Sequence, residues 1–228
     1  MAAQARERLR STVPVGYRWW AHVVPVATFV VLGLVVSLSQ LERFGAWEAI
    51  AAAWIVIAIL FGEWSSHRYA MHRRVFPRAV YRRHVVEHHA FFTHDDMKMD
   101  GYEDLHWVLF PPWALPLLVV SISPFFAALY GLGSPDLAWL FLLVVVAYYA
   151  IYEVVHLMTH VDAGEGGVGR AVAALGRHHR IHHDPALMRA WNFNFVVPLF
   201  DWAFGTRWSP SATRPPVPAP PDSRPLRR

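Results

Sequence analysis

Residues 19–41 run for 23 positions without an Asp, Glu, Lys or Arg, and that run limits what the chain can become. A helix rises 1.5 Å per residue, so about 20 residues cross a hydrocarbon core. Lipid offers no hydrogen bonds, and a helix is the structure that satisfies its own backbone within one segment. Further apolar runs occupy 46–62, 105–135 and 137–152. The third exceeds one span, and Pro111, Pro112 and Pro116 break its early part, so its spanning piece is expected at about 113–130. After the second and fourth runs the helical pattern continues past the apolar limit, through Glu63 to His72 and through Glu153, His156 and His160. The expectation is an all-α integral membrane protein with four transmembrane helices in two hairpins. Composition agrees, with 55% hydrophobic residues, 17% charged and a mean hydropathy of +0.25.

Charge sets the expected orientation. Of 21 Lys and Arg residues, only Arg43 lies in the two short turns at 42–45 and 131–136. The other basic residues precede the first run, lie between the second and third, or follow the fourth. The positive-inside rule then makes that face cytoplasmic, with both termini. The net charge of +4 is thereby assigned to the membrane surface and not to nucleic acid. Residues 1–18, with Arg6, Arg8, Arg10 and Arg18, read as a basic cytosolic segment and not as a cleaved signal. Residues 19–208 form the membrane domain. Seven prolines and four arginines in 209–228 read as a disordered tail. There is no cysteine, which excludes disulfides, thiolate nucleophiles and Cys-ligated metals.

The polar stretches carry the chemistry. Arg177 to His183 places four histidines in six positions, and three further groups precede it: His67 and His72; His84, His88 and His89; His156 and His160. Residues three and four apart on a helix share a face, so His179, His182 and His183 are expected to point one way, and His84 and His88 another. His67 and His72, five apart, stand about 140° from each other on a regular helix. They either serve different metals or sit where the helix deforms. An amphipathic helix at about 78–92 and a polar one at about 170–183, after a glycine-rich hinge at 161–169, form a helical cap over the ends of the two long spans.

Neutral imidazole is the commonest side-chain donor to transition metals. Ten imidazoles are too many for one ion and suit two. A two-metal site of histidines at a lipid boundary suits iron and dioxygen chemistry. Glu63 and Glu153, each one turn before a histidine on its own helix, are expected to orient a ligand imidazole. His178 is expected to be an exposed bystander and His94 a loop residue. His22 and His106 lie where apolar runs begin, an ordinary place for polar residues, and tryptophans 19, 20, 47, 107 and 113 read as an aromatic belt.

Taken together, His67-x4-His72, His84-x3-His88-His89, Tyr152-Glu153-x2-His156-x3-His160 and His179-x2-His182-His183 resemble the histidine boxes of the fatty acid hydroxylase/sterol desaturase superfamily. The stretches 109–112 and 194–206 are similar to that family as well. The resemblance implies four spanning helices with a cytosolic helical cap and two iron ions, for which zinc can substitute in an isolated sample. It also implies hydroxylation of a fatty acyl, sterol or related chain, with O2 as co-substrate and two electrons. Because no cytochrome b5-like segment precedes the first span, the expected electron source is a separate ferredoxin or cytochrome b5-like protein with its reductase. The lipid substrate is expected to enter from the bilayer. His67-Arg-Tyr-Ala-Met-His72 is also similar to the first box of carotenoid ring hydroxylases, so ring hydroxylation and lipid desaturation are alternatives within the same chemistry.

Two readings of other classes are weaker. A divalent-metal transporter needs ionisable groups in mid-span, whereas the apolar runs hold essentially none. A scaffold carrying structural zinc does not need ten ligands.

Overall fold

The computed structural model describes residues 2–75, 77–161 and 166–210. Within them the chain is helical, in the order α1 (Ala2–Arg10), α2 (Trp19–Gln40), α3 (Ala46–Ser66), α4 (Arg78–Tyr81), α5 (His89–Phe91), α6 (Leu105–Val108), α7 (Ala114–Gly131), α8 (Pro135–Thr159), α9 (Gly167–His182) and α10 (Leu199–Ala203). Two π-helical segments interrupt this order, His67–Met71 directly after α3 and Arg82–His88 between α4 and α5. Most of the expected tail, 211–228, and part of the expected hinge, 162–165, lie outside the described residues.

Among the described residues, four helices are long and apolar enough to cross a membrane: α2, α3 with its π segment, α7 and α8. Their surfaces differ. Within an apolar 18-residue stretch of each, only 6–11% of α2, α3 and α7 is buried within the protein, against 39% of α8. α8 is therefore the interior helix, and α2, α3 and α7 each pack against it. At Gly33, α2 comes close to α8: an added Cβ would lie 3.3 Å from the Val146 side chain. Small residues allow such contact where lipid supplies no hydrophobic drive between helices. The outward positions are apolar: Leu32, Val35, Trp54, Val120 and Phe125 are all exposed, as a lipid-facing surface requires.

α3 and α8 continue beyond their apolar stretches and carry His67, His72, His156 and His160 with them. Around these ends fold α4, the second π segment, α5, α9, the segment 92–104, which ends in a 3-10 turn at Tyr102–Asp104, and the irregular segment 191–198. A cluster of Phe91, Phe92, Met97, Trp107 and Val108 forms the buried core of this region, with Leu9 and Val13 of the N-terminal segment against it. Residues 1–18 thus include a helix packed on the protein: α1 lies against α5.

Candidate metal centre

The two π segments explain how histidines five apart come together. A π turn bonds residue i+5 to residue i and so stacks residues five apart. The His72 N–H donates to the His67 carbonyl at 3.2 Å, and the His89 N–H donates to the carbonyl of His84. The helix deforms at both histidine boxes, and at both the five-apart pair lands in one group.

That group holds His67, His72, His84, His89 and His182; a second holds His88, His160, His179 and His183. In each, the ligand nitrogens lie within 4.8 Å of one another. His156 borders the second group, its Nε2 3.3 Å from that of His88. All ten sequence-expected histidines therefore converge, but two sets divide differently from expectation. His84 and His88 do not act as a pair, because the π turn places His84 with His89 and turns His88 to the other group. His179, His182 and His183 share a helix face yet straddle both groups. Nine of the ten are buried and His84 is half-buried.

Five tautomers are fixed by backbone carbonyls. The Nδ1 of His67 lies 2.6 Å from the Phe193 oxygen, and that of His182 lies 3.0 Å from the Trp191 oxygen. In the second group, the Nδ1 of His88, His160 and His183 meets the oxygens of Trp107 (2.8 Å), Met97 (2.7 Å) and Phe92 (2.5 Å). A carbonyl only accepts, so each Nδ1 carries the proton and each Nε2 is left as a bare lone pair. These lone pairs face other imidazole nitrogens: His67 Nε2 is 2.9 Å from His84 Nε2, and those of His160 and His183 are each 3.0 Å from His179 Nε2. His179 has at most one proton at that atom, so it cannot satisfy both neighbours. The buried Nδ1 atoms of His72, His89 and His179 find no hydrogen-bond partner among the described residues.

Burial holds the imidazoles outside the spans neutral. His72, His84, His88, His89, His179, His182 and His183 titrate well below the ordinary value of 6.5, first because of burial and then because other histidines surround them. Burial lowers His160 to about 4, against the opposing bond to the Met97 carbonyl. Uncharged nitrogen lone pairs, converging in two places without a carboxylate among them, form a donor set that fits two imidazole-binding transition metal ions.

Among the described residues, neither Glu63 nor Glu153 is hydrogen-bonded to an imidazole. Glu63 accepts from the Tyr148 hydroxyl at 2.5 Å, the Asn194 amide at 3.1 Å and the Phe195 N–H at 2.5 Å. Glu153 accepts from the Tyr149 hydroxyl at 2.9 Å and the Phe110 N–H at 3.1 Å. Each carboxylate holds a segment whose carbonyls in turn hold histidines: Phe193 lies beside the Glu63-bound stretch, and Trp107 lies just before Phe110. Asp201 reinforces the first by accepting from the N–H groups of Phe193 (3.0 Å) and Asn194 (2.8 Å). Asn192 adopts φ +60 between the two carbonyls that orient His182 and His67. This left-handed conformation suits asparagine better than most residues, and its side chain bonds the His178 carbonyl and the Trp208 N–H.

His178 of α9 and His94, in the turn after α5, stay outside both groups. His178 is half-buried and its Nε2 meets the Asn194 carbonyl at 3.0 Å, while His94 and Arg180 exchange side-chain bonds to each other's carbonyls. The backbone carbonyls and Asp201 are the parts that histidine spacing missed. Main-chain acceptors have no signature in residue type.

Comparison with known proteins adds a family. A family model described as fatty acid hydroxylase matches residues 52–206. Among solved structures, one described as full-length Scs7p, with only its hydroxylase domain visible, superposes with a TM-score of 0.57. It shares 22% identity over 85% of this chain and 68% of that one, a likeness of fold. No curated protein matches the chain.

Proposed function

The chain belongs to the fatty acid hydroxylase family, and from that premise we propose that it is an O2-dependent lipid hydroxylase working at a centre of two iron ions. It is a multi-pass membrane protein with a histidine-rich site. The observation that carries the finer reading is the division of its histidines into two groups of converging, uncharged nitrogens at the ends of two spanning-length helices. His67, His72, His84, His89 and His182 would hold one ion. His88, His160, His179 and His183, with His156 at the margin, would hold the other. Bound iron would supply the redox chemistry needed to activate dioxygen toward an unactivated C–H bond.

The overall balance defines the chain's tasks. One C–H bond and O2, with two electrons and two protons, become one C–OH and one water. The backbone carbonyls of Phe92, Met97, Trp107, Trp191 and Phe193 hold five imidazoles in the tautomer that presents Nε2. Phe195 packs against His179 at 4.1 Å and His156 at 5.0 Å between ring centroids, and Phe92 lies 4.2 Å from His160. These rings keep water from the centre and offer an apolar lining to a hydrocarbon chain. Substrate enters laterally from the bilayer, where its tail already resides. Electrons arrive from a separate ferredoxin or cytochrome b5-like protein, and the centre faces the cytoplasm.

Lipid profiling tests the reading. A host expressing the protein under oxygen is expected to gain one oxygen in one lipid class, and a host expressing His182→Ala is not. Loss of two hydrogens would make the enzyme a desaturase, and unchanged lipids would contradict the proposal.

A further inference from the structure

The two histidine groups are held by different parts of the chain, and the N-terminal helix serves one of them. The carbonyls that orient His67 and His182 lie in 191–193, secured by Asp201 and Glu63. Those that orient His160 and His183 belong to Met97 and Phe92, in the segment between α5 and α6. This segment grips His160 at a second point, where the Met99 N–H donates to the His160 carbonyl at 2.9 Å.

Arg6 of α1 is built into that segment. Its guanidinium donates to the Asp96 carboxylate and to the Lys98 carbonyl, on either side of Met97. It also lies 3.3 Å from Asp100 and 3.4 Å from Asp104, and stands 4.9 Å from the Phe91 ring centroid and 5.6 Å from that of Phe92. Arg10 adds a forked pair to Asp104 at 3.1 and 2.7 Å and a bond to Asp100 at 2.5 Å. Arg6 is only 5% exposed and Asp104 only 2%. A basic side chain that merely met lipid headgroups would not be buried. Planar guanidinium groups suit forked pairing and stacking on aromatic rings.

We propose that Arg6 is a positioning residue for the His88 group: α1 clasps the 96–104 segment so that Met97 and Phe92 present their carbonyls to His160 and His183. The inference rests on the two-metal reading above. Loss of the clasp loosens the Met97 and Phe92 carbonyls and with them the His88 position first, because His67 and His182 of the other group are held by carbonyls of 191–193.

Metal content of purified full-length protein tests this. Arg6→Gln is expected to lose one of two bound ions. Combined with His183→Ala it should lose no more than His183→Ala alone; combined with His72→Ala it should lose both, because independent sites add and shared ones do not. Equal loss of both ions in Arg6→Gln, or retention of both, would overturn the clasp. Should Arg6→Gln fail to accumulate, Asp96→Asn alters a partner whose side chain is 55% exposed. It is expected to release one ion to a chelator at least several-fold faster than the unaltered protein, and unchanged release would overturn the proposal. Wild-type protein that never holds two ions would refute the two-metal reading instead.

Discussion

At the scale of single residues, the decisive property is the proton on Nδ1. A histidine that donates there to a carbonyl has its Nε2 lone pair aimed and available, and five of the ten are committed in this way. Substituting one of them tests the assignment. His88→Ala, His160→Ala and His182→Ala are each expected to abolish product, with loss of one ion and normal membrane insertion. Full activity in any of them would remove that residue from the site. Burial adds a pH signature. His160 titrates at about 4 in the folded chain and near 6.5 unfolded, so the unfolded state binds the extra proton first. Stability of the metal-free protein should therefore be complete above about pH 6.5 and fall as pH drops toward 4. A melting temperature flat across that window would contradict the assignment. The histidines themselves were legible in the sequence because no other side chain supplies neutral nitrogen donors in such number. Their carbonyl partners were not, since every residue has one.

At the scale of elements, the π segments set the register. Their five-residue spacing was visible as an awkward His67-to-His72 angle, but whether the helix deforms depends on tertiary contacts that spacing does not encode. The same deformation divides His84 from His88. An alanine inserted after Ala70 would turn His72 by about 100° about the helix axis, and is expected to cost the ion of the His67 group and all activity. Protein that kept both ions would show that the π turn is not the determinant. The carboxylates act at this scale too. Glu63→Ala removes the shared acceptor of the half-buried Tyr148 hydroxyl and the buried Phe195 N–H, at roughly 1–3 kcal/mol for each buried donor left unsatisfied, while the Asn194 amide keeps its bond to the Leu60 carbonyl. A marked fall in melting temperature in detergent is expected, with metal loss following from the loosened Phe193 carbonyl. An unchanged melting temperature would mean that Glu63 pins nothing.

For the whole molecule, four spanning helices were legible because the bilayer dictates both their length and their apolarity. The central place of α8 was not, since a side chain facing lipid and one facing another helix can be equally apolar. Nor was the docking of α1. Arg6 and Arg10 read as part of a basic leader because their acidic partners stand about 90 positions away. With the basic residues distributed as they are, tags at residues 1 and 228 should both be reached from the cytoplasmic side of sealed vesicles, and a tag in the 42–45 turn from the other. The whole account depends on two histidine groups each holding an ion. The most direct measurement is the number of metal ions per chain in active, detergent-purified protein, beside His72→Ala and His183→Ala. Two ions in the wild type and one in each variant are predicted. Active protein with a single ion would contradict the account.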